Sequence, residues 1–370
     1  MRSIQTAPQV TAHTRSGLTL IEVLVCISIL ATLAALLLPA TRSARGTARR
    51  TQCQSNLRNV GLAVQAYSTA KRGQVPPLTG GFSIAGPSRA SAAPWSVHLL
   101  PYLECQDRFD RLQSVPSGEV SKIAIQAIES YLCPDAKNSG EGGLSYVANA
   151  GMIASDDWSQ TDSLAHGIDR YDFAFNGYGE GNLNAEDQLL AVASGVFWRA
   201  SATNAGSIQP PRTLDEISRA DGSSQTIHLS ENLNTRSFDP ATHTGGWISD
   251  TAGDIAFGIT LAGDEIGGQF RVADRETPGG VGVAGGTIET GLQLSDLPVS
   301  ADCRINANLA NAKDGASPRP SSGHPGAVNM AYADGSCKVI FEGIDPTVYA
   351  RLLTPMGSQY GQLPVSSADF

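Results

Sequence analysis

The sequence predicts an α+β protein, a long N-terminal transmembrane helix packed on a β-rich globular domain. Three observations carry this expectation. The first is the run from Leu18 to Ala40, LTLIEVLVCISILATLAALLLPA, in which Glu22 is the only charge. The second is the texture of the chain beyond Pro77, where short apolar runs alternate with clusters of Gly, Pro, Asn, Asp and Ser. The third is the division of charge. Residues 1–72 hold nine basic groups and one acid, whereas residues 73–370 hold 17 basic and 34 acidic groups. The overall net charge of -9 therefore describes neither part. A hydrophobic content of 41% excludes a collagen-like or wholly disordered chain. The acidic bulk argues against nucleic acid as a partner, because phosphate contacts need basic surface.

The apolar run is long enough to cross a bilayer. Twenty-three residues, Leu18 to Ala40, rise roughly 35 Å as a helix, which covers the hydrocarbon core. A secretory signal peptide has a shorter apolar stretch ending in a small-residue cleavage site, and this run does not fit it. The lipid bilayer is thus the first expected partner. Charge alone gives the wrong kind of help with orientation. Arg2 and Arg15 precede the span, but Arg42, Arg45, Arg49 and Arg50 follow it closely, which favours a cytoplasmic C-terminus.

Beyond the span the helix is expected to continue. Leu57, Val60, Val64 and Tyr67 recur at three- and four-residue intervals and make an amphipathic stripe. Gly73 and the Pro76-Pro77 pair end it. A helix from Leu18 to about Arg72 is roughly 80 Å long. Its second half would lay its apolar face on the globular domain and hold Arg42, Arg45, Arg49, Arg50 and Arg58 on exposed faces. A coiled coil is the rival reading, but the stripe covers barely two heptads.

The residues around Gly17 bear on orientation. Ser16-Gly17-Leu18-Thr19-Leu20-Ile21-Glu22 closely resembles the processing site of type IV pilins and type II secretion pseudopilins. The resemblance implies that a prepilin peptidase cuts on the cytoplasmic side after Gly17 and that the new amino terminus, Leu18, is methylated. Most members have Phe at that position. Glu22 matches the family's acid five residues beyond the cut, and Pro39 matches a proline that commonly kinks the helix. The resemblance implies an inner-membrane, single-pass protein with its C-terminal domain in the periplasm or on the envelope surface. It overrides the arginine count. A lone carboxylate in hydrocarbon is expensive, so Glu22 needs a partner or must be neutral. In a fibre of pilin-like subunits, whether copies of this chain or relatives, the partner would be the amino group of a neighbour's Leu18. A plain single-pass anchor with Glu22 near the headgroups is the simpler alternative.

The rest of the chain reads as short elements. Residues 97–112 and 119–132 have helical pattern, the second with good 3.6-residue spacing. Thr226 to Ser230 is strand-like. Ala327 to Phe341 reads as two strands around Asp334-Gly335, a dipeptide that favours a tight type I′ hairpin. Thr244 to Gly291 is glycine-rich and reads as long loops with weak strands.

Several strings are similar to one family more specifically. They are Cys53-Gln-Ser-Asn-Leu-Arg-Asn-Val-Gly-Leu-Ala, Leu132-Cys133-Pro134-Asp135 with Ser145-Tyr146, and Asp221-Gly222-Ser223-Ser224-Gln225-Thr226 ending in Glu231. The last is His324 with Asp334-Gly335, an H-x9-DG motif. Together they resemble the DUF1559 family of pilin-like bacterial proteins, from Gly17 to about Gly343. The family implies a location and an architecture but no reaction. The expected organisation is a leader (1–17), a transmembrane and extended helix (18–72), a β-rich globular domain (73–343) and a C-terminal tail (344–370).

Six cysteines remain to be placed: Cys26, Cys53, Cys105, Cys133, Cys303 and Cys337. No CxxC pair occurs, so a zinc-ribbon site is not expected. Cys26 reads as a small packing residue in the span. The others would face an oxidising compartment, where disulfides persist. Cys53 with Cys133 is the first expected pair, since both sit in family motifs, and Cys303 with Cys337 the second. Free buried thiols are the alternative.

The sequence offers little toward catalysis. No GxSxG turn and no HExxH spacing appears. His324 would lie before a strand and Asp334 at its far end, some 30 Å apart at about 3.3 Å per residue, so they form no dyad. The acidic strings Asp156-Asp157, Asp221 with Glu231, and Asp264-Glu265 could ligate calcium, but none has EF-hand spacing and solvated surface is the better reading. The expectation is a non-enzyme with no cofactor and no metal, assembling in a secretion pseudopilus or pilus-like filament. The alternative is an anchored protein that never polymerises and captures a ligand.

Overall fold

The computed structural model describes residues 20–84, 91–114, 116, 119–137, 140–152, 193–198, 212–242, 244–259, 265–266, 269–270, 304–306, 309, 314–315, 319–360 and 365. Gly17 and Leu18 lie outside these residues. The chain divides into two compact units, Met1–Ala48 and Arg49–Phe370.

Helix α1 (Leu20–Ala70) runs unbroken through Pro39. It is the one helix among the described residues long and apolar enough to cross a membrane. Along its first half Leu20, Ile21, Leu30, Leu36 and Leu37 are all exposed. Hydroxyls in this stretch bond to the helix's own backbone, Thr41 among them, which donates to the Leu38 carbonyl at 3.0 Å. Ser28 donates to the Val25 carbonyl and Thr32 to the Ile29 carbonyl, each at 2.8 Å. Polar groups satisfied within the segment are what hydrocarbon requires.

From Cys53 onward the same helix is buried on one side. Leu57, Val60, Val64 and Tyr67, the stripe expected from their spacing, belong to the core of the second unit together with Cys53. The helix ends near Arg72 and Gly73, both with positive φ.

The elements after α1 are short. They are β1 (Thr79–Ile84), β2 (Ser91–Pro94), α2 (Trp95–His98), α3 (Gln106–Ser114), α4 (Val120–Ala124), β3 (Tyr146–Met152), α5 (Leu214–Arg219) and β4 (Ile227–Glu231). There follow α6 (Ala252–Ile255), β5 (Ala256–Ile259), β6 (Glu265–Ile266), β7 (Gln269–Phe270), β8 (Ala327–Tyr332), β9 (Cys337–Phe341) and α7 (Pro346–Leu353). Two expected helices come out in pieces. In 97–112 a 3-10 turn at Leu100–Tyr102 and a left-handed Glu104 (φ 59°) separate α2 from α3, because Pro101 cannot donate to a continuing helix. In 119–132 only α4 and a 3-10 turn at Glu129–Tyr131 form.

A five-stranded sheet, in the order β5-β3-β4-β8-β9, organises the second unit. All its pairs are antiparallel except β3 with β5. The glycine-rich stretch expected as long loops with weak strands supplies one edge strand, β5. Strands β4 and β8 are buried at every residue, so both faces of the sheet are covered. On one face lies the second half of α1, with Gly61 against Ala331 and the Gln65 amide donating to the Ala333 carbonyl. On the other, α7 packs on β4 and β5, and Asn149 donates to the Leu353 carbonyl at 2.7 Å. The segment expected as a tail is therefore part of the fold: Leu352 and Leu353 are fully buried.

His228 on β4 has no solvent contact. Its ring meets Phe197 edge-on at 5.7 Å, and its Nε2 is buried without a hydrogen-bond partner among the described residues. Burial pushes its pKa down to about 3. The unfolded imidazole takes up a proton near pH 6.5, which the folded one refuses until about pH 3. The unfolded state therefore binds more protons across that window, and stability falls as pH drops through it. Urea midpoints of the detergent-solubilised full chain should fall between pH 7 and pH 4, and less so in His228→Phe. An equal fall in both proteins would contradict this assignment.

Candidate functional site

Four separate segments meet where α1 enters the second unit. Cys53 comes from α1, Cys133 and Asp135 from the loop after Tyr131, Glu231 from the end of β4, and His324 from the loop before β8. Cys53 and Cys133 form a disulfide, with Cα atoms 4.7 Å apart. Next to it the His324 ring lies between two carboxylates. Its Nδ1 is 3.2 Å from Asp135 Oδ2 and its Nε2 is 3.4 Å from Glu231 Oε1. Nε2 is also 3.8 Å from Cys133 Sγ.

Each member is held by its own support. Both oxygens of Glu231 accept from Asn329 on β8: Oε2 from the backbone N–H at 2.9 Å and Oε1 from Nδ2 at 3.0 Å. Asp135 also pairs with Arg49 of α1. Asn56, one turn after Cys53, donates to the Leu132 carbonyl at 2.8 Å and the Glu129 carbonyl at 3.2 Å. Tyr146 donates from its hydroxyl to the Cys53 carbonyl at 3.0 Å. The His324 loop closes on itself, with the His324 N–H donating to Ser322 Oγ at 2.9 Å and Ser322 Oγ donating to the Ala327 carbonyl at 3.0 Å. Gly323 is required by this approach, because a Cβ there would lie 2.6 Å from the Asp135 carbonyl oxygen.

Cys53, Cys133, Glu231 and His324 are all buried, and their donor atoms lie within 4.8 Å of one another. The cluster as it stands is a covalent and ionic latch that fastens α1 to β4, β8 and the Cys133 loop.

The other half of the H-x9-DG motif sits at the opposite end of β8. Asp334 Oδ1 accepts from the Ser336 N–H at 2.8 Å, and Gly335 takes φ 81°. Gly335 N–H donates to the Tyr332 carbonyl and Tyr332 N–H to the Ser336 carbonyl. This is a three-residue turn with one left-handed glycine rather than the expected two-residue type I′ turn, since Asp334 is not left-handed. The turn rests on α1: a Cβ at Gly335 would touch Leu62 at 3.4 Å. His324 and Asp334 thus form no dyad, yet both ends of β8 are tied to α1.

The remaining expected residues lie elsewhere. Glu22 and Pro39 are in the first half of α1. The expected Cys303–Cys337 link is not made, because Cys337 is a free thiol; Cys303 lies outside the described residues. Burial and the nearby Glu231 carboxylate push the Cys337 thiol up to about 12. Asp221 and Glu231 do not share a site. The Asp221 carboxylate accepts from the backbone N–H groups of Gly357 and Ser358 at 2.7 and 3.0 Å. Asp156, Asp157 and Asp264 lie outside the described residues, and Glu265 is described only as part of β6. Sequence reading attached no chemistry to Asp135 or Asn329, although Asp135 stands in the quoted Leu-Cys-Pro-Asp string. Four distant segments supply the cluster, so no local spacing could reveal it.

Residues 42–347 match a family described as "Protein of unknown function (DUF1559)", and residues 13–38 match the prokaryotic N-terminal methylation motif. No curated protein and no solved structure gives a significant match to the chain.

Removing the disulfide tests the latch. It links residues 80 positions apart, and such a link is worth about 2–5 kcal/mol. Cys53→Ser with Cys133→Ser should lower the urea midpoint accordingly, and reducing the wild-type protein in the presence of a chelator should reproduce that loss. An unchanged midpoint in both would show that the latch contributes nothing.

Proposed function

The chain belongs to the DUF1559 family, and from that premise we propose that it is a pilin-like subunit which prepilin peptidase releases for assembly in a secretion pseudopilus or pilus-like filament. The observation that carries this reading is the methylation motif at 13–38, which continues directly into an exposed apolar helix. Cleavage after Gly17 frees the amino group of Leu18 for methylation. In a filament that group meets Glu22 of a neighbouring helix, and the pair sets the register of packing. The motif, the helix and Glu22 are each used in this reading, whereas a plain anchor uses only the helix.

The disulfide supports an extracytoplasmic place for the second unit, because such links persist in oxidising compartments. In this reading the first half of α1 spans the inner membrane and the second unit lies in the periplasm or on the envelope surface. The role is one of assembly, and it requires neither a reaction nor a cofactor.

Two measurements test the reading. Mass analysis of the mature protein should find residues 1–17 absent and a methyl group on Leu18. An intact leader, or a cut elsewhere, would overturn it. Glu22→Ala should still insert in the membrane but lose incorporation into filaments or the secretion it supports. Normal assembly in that variant would remove the role given to Glu22.

A further inference from the structure

The latch has the composition of a metal site that its own disulfide keeps closed. We infer that reduction of Cys53–Cys133 converts this cluster into a four-ligand site for zinc or a similar borderline divalent cation. The ligands are the two thiolates, His324 Nε2 and Glu231 Oε1.

Three observations carry the inference. The first is spacing. Bonds of ~2.0–2.3 Å at tetrahedral angles separate a nitrogen from an oxygen donor by ~3.3 Å and a nitrogen from a sulfur by ~3.6 Å. Nε2 already lies 3.4 Å from Glu231 Oε1 and 3.8 Å from Cys133 Sγ. The two sulfurs must part to ~3.8 Å, which rotation about their Cα–Cβ bonds supplies once the S–S bond is gone, and the remaining donor pairs already lie within 4.8 Å. The second is the surrounding shell. Asp135, 3.2 Å from Nδ1, is placed to accept the Nδ1–H while Nε2 faces the cluster, the arrangement found behind metal-bound histidines. Asn329 orients the Glu231 carboxylate in the same way. The third is burial: all four ligands are shielded from solvent.

The chemistry balances with a dithiol reductant. Its two thiols supply two electrons and two protons, the S–S bond opens to two Cys thiols, and the reductant leaves as a disulfide. Binding of the divalent cation then releases the two thiol protons. The same positions therefore fasten α1 to the sheet in either state, covalently when oxidised and by coordination when reduced.

The test uses the full chain in detergent, as the oxidised protein and after phosphine reduction, with Zn2+ and then Co2+ as probes. The reduced protein should bind one equivalent of zinc that the oxidised protein does not. Co2+ should give thiolate-to-cobalt charge-transfer absorption, which persists in Cys105→Ser and Cys337→Ser and vanishes in Cys53→Ser. Asp135→Asn should weaken zinc binding about tenfold. Zinc uptake that is unchanged by reduction would overturn the inference. So would a cobalt complex with no charge-transfer band, or a band that depends on Cys337 instead. The comparison of oxidised with reduced wild-type protein decides the matter even where a cysteine variant fails to fold.

Discussion

One helix has to serve two solvents. The first half of α1 presents leucines and isoleucines on every side, while the second half buries a single stripe against a sheet. A continuous helix makes this possible because its backbone is satisfied internally in either medium. The amphipathic second half depends on its sheet, because helical stability in a folded unit comes mostly from packing of the apolar face. The stripe of Cys53, Leu57, Val60, Val64 and Tyr67 supplies that contact, and the latch at Cys53 fixes where along the helix it begins.

Strand β8 is the other side of this bargain. Its entry is set by the His324 loop, which reaches Asp135 and the disulfide, and its exit by the Asp334-Gly335 turn, which rests on Leu62. Gln65 and Gly61 fill the stretch between, against Ala333 and Ala331. The two halves of the H-x9-DG motif are therefore two anchors of one strand on one helix. Such an arrangement explains why histidine and aspartate can be paired in sequence without meeting in space.

The long apolar span, the amphipathic stripe and the β8–β9 hairpin were legible from sequence, because each rests on local periodicity or a turn dipeptide. The hairpin's turn type was not, since Gly335 alone takes the left-handed conformation and packing against Leu62 fixes the geometry. Strand β5 was hidden in a glycine-rich stretch, where pairing with β3 and not propensity makes it a strand. The latch was half legible. Cys53, Cys133, Glu231 and His324 were singled out by their motifs, but their meeting with one another and with Asp135 and Asn329 depends on the sheet order, which no spacing in the chain encodes.

A role in a filament or at a surface requires the second half of α1 to be part of the folded unit. Hydrogen exchange on the full chain, with the disulfide intact, tests it most directly. The account predicts that amides of residues 53–67 exchange as slowly as those of Ile227–Glu231 and Ala327–Tyr332, as one cooperative core. Exchange in 53–67 far faster than in those two strands would contradict it, and would make the second half of α1 a tether instead of a part of the fold.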